Sequence, residues 1–353
     1  MFLFLSYFLH VLSLPHQSHL PLSQIQLTTS SDSSNVPSSM SDSGSDYPNG
    51  ETYFILITTF ISDDTGTGKL YVMPGDPDLI DYTYELITGL DEPVGVCFDK
   101  NHDFLYIVDS GFDNAGYIYR YSVDWNKNKF VLADYEYVVV YEGLSPKDCK
   151  IDEYGNMYFI EAEYDSINMI SYLDLYTGLL NMNYTIYESD PYVSNPSALD
   201  VISSEYIYFA NKDNGDEVGS VNKAEAYNEY VNGGSVKTLV KNTYNTLGVA
   251  HSRKGLVYFT LETGDVWVVD DSDPDSLFLK TQGNFTDPQR LSYGSGLIYL
   301  TDFEQGQLWT LSDNTNEETP TLIIELQGCY SVFCVNKGSF SILFKLAFTY
   351  LLI

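Results

Sequence analysis

Tyr106-Ile107-Val108-Asp109 followed by Gly116-Tyr117-Ile118-Tyr119, and Tyr299-Leu300-Thr301-Asp302 followed by Gly306-Gln307-Leu308-Trp309, are two copies of one pattern. A short aromatic strand stops, and a second strand introduced by glycine begins. Further copies of the aromatic strand read Tyr53-Phe54-Ile55-Leu56, Tyr158-Phe159-Ile160-Glu161, Tyr208-Phe209-Ala210-Asn211 and Tyr258-Phe259-Thr260-Leu261. Self-similarity at a fixed spacing is the mark of a repeat architecture, in which each unit buries its apolar face only against its neighbours.

Each aromatic strand, here the B strand, follows a second recurring run, the A strand. These begin at Pro93, Pro146, Pro196, Thr246 and Pro288, at intervals of 53, 50, 50 and 42 residues, and a last run from Tyr330 follows 42 residues later. A Gly-led C strand such as Gly264-Asp265-Val266-Trp267 and an outer D strand such as Ser276-Leu277-Phe278-Leu279 complete the unit. Four short strands in roughly forty to fifty residues are the content of one propeller blade. The segment 51–90 supplies only B, C and D strands, and Cys329 to Lys337 supplies a lone A strand. The two half-blades complement each other. The sequence therefore predicts an all-β, six-bladed β-propeller over residues 51–338, closed by a C-terminal strand that joins the N-terminal blade and removes the open edge of a linear array.

Period 2 sorts the A-strand side chains into two sets. Val96 and Phe98, Leu199 and Val201, Val249 and His251, Leu291 and Tyr293, and Phe333 and Val335 form the expected blade-packing set. Gly95 and Cys97, Asp148 and Lys150, Ala198 and Asp200, Gly248 and Ala250, Arg290 and Ser292, and Val332 and Cys334 form the expected channel-facing set. Asp148, Lys150, Asp200 and Arg290 are thus the candidate channel lining, with Asp148 and Asp200 on adjacent blades as a pair of acids suited to proton transfer.

Acidic residues outnumber basic ones by 49 to 17, a net charge of −32, which argues against nucleic acid and anionic membrane surfaces as partners. Residues 1–14 are apolar and too short to span a bilayer, so 1–23 is read as a secretory signal peptide. Residues 24–50, rich in Ser and Asp without Lys or Arg, read as a disordered linker. Two sequons, at Asn183 and Asn284, fit a secreted glycoprotein. The apolar tail 339–353 is read as retained, the alternative being attachment to a membrane at the cell surface. Of the four cysteines, Cys329 and Cys334 lie about 16 Å apart on one extended strand and cannot bond to each other. Cys97 and Cys334 share the expected channel set on neighbouring blades and are the candidate disulfide, with free buried thiols as the alternative.

Glu92, Ser145, Asn195, Asn245, Asp287 and Cys329 each stand immediately before an A strand, at the channel mouth. Carboxylate and amide oxygens converging from several blades are what a hard divalent cation requires, so Glu92, Asn195, Asn245 and Asp287 are the candidate ligands of a calcium ion. The acidic run Asp213-Asn214-Gly215-Asp216-Glu217 resembles part of a calcium loop. The Tyr-x-x-Asp strands with Gly-led followers resemble the six-bladed superfamily of YWTD, NHL and TolB-like propellers. The order Glu92, Asn195, Asn245, Asp287 resembles the metal ring of the SMP-30, gluconolactonase, regucalcin and paraoxonase group. That resemblance implies a bound Ca2+ that polarises a lactone or ester carbonyl, with Asp287 as proton acceptor. His102 and His251 fall in an A-to-B turn and in the blade-packing set, and neither reads as the mouth histidine that paraoxonase-like members use.

Two functional classes follow: an extracellular binding module for a protein, glycan or small molecule, and, as the alternative, a calcium-dependent lactonase or esterase. The absence of mouth histidines favours the first. Fold alone does not choose a ligand.

Overall fold

A computed structural model describes residues 53–62, 64–111, 115–126, 129–188, 193–212, 219–226 and 235–336. The segments read as a signal peptide (1–23) and a linker (24–50), the acidic run from Asp213 to Glu217 and the apolar tail 339–353 lie outside them. Six four-stranded antiparallel sheets form the six blades of a β-propeller. The strand Cys329–Asn336 hydrogen-bonds to Tyr53–Thr59, so the two half-blades form one sheet, as the complementary ends require. Blade 1 is 53–90 with Cys329–Asn336; blades 2 to 6 run 93–144, 146–188, 196–241, 246–281 and 288–325. Their inner strands are Pro93–Asp99, Pro146–Ile151, Pro196–Val201, Thr246–His251 and Pro288–Gly294.

The apolar core is not central but divided among the gaps between blades. Each of the six hydrophobic clusters joins two neighbouring blades: Phe54, Leu56 and Val96 between blades 1 and 2, Cys97, Val108 and Phe159 between 2 and 3, and so around to Ile55, Val332 and Leu308 between 6 and 1. This corrects the two-set reading of the inner strands. A blade turns its sheet faces to its neighbours and only its edge to the axis, so one set packs on the preceding blade and the other on the following one. Val96 and Phe98 face blade 1 while Cys97 faces blade 3; Leu199 faces blade 3 while Ala198 faces blade 5.

Polar members of the second set therefore lace three of the six inner strands to the next. Asp148 accepts from Leu199 N (3.1 Å), Asp200 from His251 N (2.7 Å) and Ser292 from Cys334 N (3.1 Å). These bonds satisfy inner-strand amides that face no strand on the axis side.

The disulfide also differs from expectation. Cys97 bonds Cys149, on adjacent inner strands with Cα atoms 5.9 Å apart, and Cys329 and Cys334 are free and buried. Cys97 faces blade 3, whereas Cys334 packs with Tyr53 and Tyr299 between blades 6 and 1, so the predicted Cys97–Cys334 pair points in opposite directions around the ring. The register of blade 1 is shifted too. Thr59 pairs with Cys329 as Asp109 pairs with Pro93 and Asp302 with Pro288, so Leu56, not Tyr53, takes the place of the repeated tyrosine. Tyr53 instead sets its hydroxyl 3.1 Å from that of Tyr299.

Candidate functional site

The acid that ends the B strand is a structural clamp. Asp109 accepts from the main-chain N–H groups of Asp91 (3.0 Å) and Glu92 (2.7 Å), and Asp302 from those of Thr286 (2.8 Å) and Asp287 (3.1 Å). Both are buried, and burial pushes the Asp109 carboxyl up to about 6. Two of the repeated tyrosines reach an acid of the following blade, Tyr208 donating to Asp271 (2.6 Å) and Tyr258 to Asp313 (3.0 Å), whereas Tyr158 donates to Asp152 of its own blade (3.3 Å).

The clamps fix the residues that open each inner strand, and hence the mouth. Ser145 (φ 54°) and Asn195 (φ 45°) occupy the left-handed region that asparagine tolerates better than most residues, so Asn195 serves the turn. Its N–H donates to Asp165 (2.6 Å) and its carbonyl accepts from Lys212 N (3.0 Å). The Asn245 amide donates to Glu262, and Asp287 accepts from the Gln289 amide. Burial raises the Asp287 carboxyl above the usual range. The charges that reach the mouth acids are those of lysines: Lys147 lies in the field of Glu92, and Lys212 in that of Asp287 and Glu262. Lys147, Lys212 and Arg290 thus share this field with Glu92 and Asp287, while the Asn245 and Asp287 side chains are hydrogen-bonded to Glu262 and Gln289. Among the described residues no cluster of three His, Cys, Asp or Glu side chains is placed to hold a metal ion.

Inside the mouth, Arg290 crosses the axis. From blade 6 it donates to Leu247 O (3.2 Å) on blade 5 and reaches Lys147 O (3.5 Å) and Asp148 (3.8 Å) on blade 3, the opposite side of the ring, with its guanidinium 5.1 Å over Tyr330 of blade 1. Asp148 also pairs with Lys150 (3.1 Å), so its charge is shared between two cations. Asp200, held by the His251 and Val201 amides, is pushed up by burial to about 6. Lys150, Asp200, Ser292 and Phe333 border a cavity of about 260 Å³ at the far end of the channel. His102 bonds Asp99 (2.6 Å) and stacks on Tyr172, whereas His251 is held neutral by burial at about 4.

A larger opening was not legible in the repeat. On the face opposite the mouth, between blades 3 and 4, a groove of about 860 Å³ is bounded by Tyr154, Tyr184, Tyr206, Asn156, Glu205 and Glu225. Tyr154, Tyr184 and Tyr206 are 64%, 47% and 37% exposed. Beside it, Leu173 and Tyr176 on the short helix Tyr172–Thr177, inserted between the C and D strands of blade 3, are also exposed. Of the two sequon asparagines, Asn284 is exposed and Asn183 half-buried at the start of the outer strand of blade 3. No helix of the described residues is long and apolar enough to cross a membrane.

No family model matches the sequence, and no curated protein matches it. Among solved structures the chain is similar to one in a nidogen/laminin complex, at TM-score 0.60 and 13% identity over 80% of this chain and 98% of the other. It is also similar to a candidate 6-phosphogluconolactonase of Bacteroides fragilis, at TM-score 0.52 and 11% identity over 80% of this chain and 98% of that one. At these identities the likeness shows the fold alone, a six-bladed β-propeller that carries binding and catalytic roles alike.

Proposed function

We propose that this propeller is an extracellular binding module and that it takes an extended glycan in the groove between blades 3 and 4. The observation that carries the reading is the set of three exposed tyrosines facing a groove of about 860 Å³ whose other walls are an amide, hydroxyls and carboxylates together with Met169 and Ala226. Aromatic faces stack on the C–H faces of sugar rings, and the carboxylates Glu205 and Glu225 accept from hydroxyls. An acidic wall disfavours anionic ligands, so the glycan is neutral. The volume lies in the range of ligand sites. The competing lactonase reading needs oxygen ligands converging at the mouth, and it is weighed down by the hydrogen bonds that already engage Asn245 with Glu262 and Asp287 with Gln289.

Affinity electrophoresis through gels containing neutral polysaccharides tests it. Retardation by at least one polysaccharide, lost in Tyr154→Ala and Tyr206→Ala, supports the groove. Free migration in every gel, or calcium-dependent hydrolysis of lactones and aryl esters, overturns it.

A further inference from the structure

Tyr206 opens the B strand Tyr206–Asn211 of blade 4 and borders the groove at 37% exposure. Tyr208, two residues on, points to the same side of the sheet, as period 2 requires, but is buried. Lys223 stands opposite Tyr208 on the neighbouring strand Ser220–Glu225, so Tyr206 is its diagonal neighbour, within reach of a long side chain. Its ammonium lies 4.2 Å from the centre of the Tyr206 ring and 5.5 Å from that of Tyr208. A cation this close to an aromatic face is attracted by the ring quadrupole. The ammonium is itself held from behind. Lys223 Nζ donates to Asp271 (2.9 Å), in the turn between the third and fourth strands of blade 5, and the Tyr208 hydroxyl donates to the same oxygen (2.6 Å). The Lys223 and Asp271 side chains are 20% and 18% exposed, so the pair is shielded from water on most sides. A chain of contacts thus runs from blade 5 through Asp271 and Lys223 to the ring of Tyr206.

We infer that Lys223 is a positioning residue of the groove: it occupies one face of the Tyr206 ring, fixes the orientation of that ring, and leaves only the opposite face for a ligand. The inference rests on the glycan reading of the groove. A single fixed face stacks on one sugar ring, and a ring held in place beforehand does not have to be ordered on binding. Lys223 also narrows the class of ligand. Acidic walls and aromatic rings together suit a cation, but here the electron-rich face of Tyr206 is already taken by a lysine whose charge stands close by. The groove therefore accepts a neutral ligand and turns a cationic one away.

Calorimetric titration with an oligosaccharide from the retarding polysaccharide tests the inference. Lys223→Met weakens binding about threefold to tenfold, the scale of one partly buried cation–ring contact, and Lys223→Arg, which keeps a cation over the ring, restores most of it. The fluorine resonance of 3-fluorotyrosine placed at position 206 reads the ring itself, with or without a glycan: it shifts in Lys223→Met and returns toward the wild-type position in Lys223→Arg. Choline, the cation probe, gives no saturable heat with wild-type protein, a measurement that stands even if Lys223→Met does not fold. If wild type binds no oligosaccharide, the glycan reading alone falls, and the fluorine resonance and choline decide this inference. Full oligosaccharide affinity in folded Lys223→Met, an unmoved resonance in that variant, or saturable choline binding to wild type that Tyr206→Ala abolishes overturns the proposal.

Discussion

The two faces of the ring solve opposite problems. At the mouth, polar groups from three blades are drawn inward and turned on one another: Asp287 to Gln289, Glu262 to Asn245, Arg290 across the axis to the carbonyls of blades 3 and 5. On the other face, blades 3 and 4 leave Tyr154, Tyr184 and Tyr206 uncovered around an open groove. Blade 3 makes the contrast sharper, because Tyr164, Leu173, Tyr176, Leu179, Leu180 and Met182 are exposed on it as well. Repeats that are equal in backbone are unequal in surface, and scattered apolar side chains need no explanation while a concentration on one blade does. The mouth gathers charged side chains, whereas the groove presents aromatic faces to solvent.

The largest expected effect removes the frame that both faces share. Deleting residues 329–353 opens blade 1 and exposes the edge of Tyr53–Thr59, and the product aggregates on size-exclusion chromatography, since unpaired edges template association. A monomeric product with an unchanged melt would break the account of closure.

Asp148→Ala comes next, and it acts on the mouth side alone. It strips Lys150, Arg290 and the Leu199 amide of a partner at a position 1% exposed, and breaking such a buried pair destabilises by about 3 to 5 kcal/mol. Denaturant unfolding measures it. The groove variant Tyr154→Ala, at an exposed position, stays within about 0.5 kcal/mol of wild type. The Cys97→Ala/Cys149→Ala double variant loses about 2 to 4 kcal/mol, the usual loss for a cross-link. The control Cys329→Ala leaves that cross-link intact.

The smallest effect concerns pH. Burial raises Asp109 and Asp200 to about 6, so the folded state takes up two protons that the unfolded chain does not hold at pH 5. Burial lowers His251 to about 4, and there the unfolded chain holds one proton that the folded state does not. The stabilisation from the two acids is fully present below about pH 4 and is lost as pH rises through 6; the His251 contribution is present above about pH 6.5 and is lost as pH falls through 4. The net is one extra proton on the folded side near pH 5, so stability rises modestly from pH 6.5 to 5. Asp200→Asn removes that rise, measured as Tm against pH. A wild-type curve that falls steadily over this range contradicts the assignment.

What the sequence disclosed follows from where the repeat constrains it. The B-strand tyrosines and terminal acids recur where buried hydroxyls and carboxylates find fixed partners: Tyr208 with Asp271, Tyr258 with Asp313, Tyr158 with Asp152, Asp109 with the Glu92 amide. The half-blades at 51–90 and Cys329 to Lys337 were legible as complements for the same reason. Tyr53-Phe54-Ile55-Leu56 imitated the pattern three residues out of register, because an apolar inner strand accepts Leu56 where other blades use tyrosine. The mouth residues recurred for the backbone: Asn195 for its left-handed turn, Glu92 and Asp287 for main-chain bonds to Asp109 and Asp302. The groove was hidden because Tyr154, Tyr184 and Tyr206 occupy a turn, an outer strand and a B-strand start, which share no spacing. In a chain with 31 tyrosines, only the fold separates those that pack from those that face solvent.

The separation of the two faces is tested most directly by a comparative titration. Wild-type protein, Tyr154→Ala/Tyr206→Ala and the mouth variant Lys147→Met/Lys212→Met are each titrated calorimetrically with an oligosaccharide from the retarding polysaccharide. The account predicts that the tyrosine variant loses oligosaccharide binding while the lysine variant keeps it. Loss of binding in a folded lysine variant, or retention of the oligosaccharide when the groove tyrosines are gone, would contradict it.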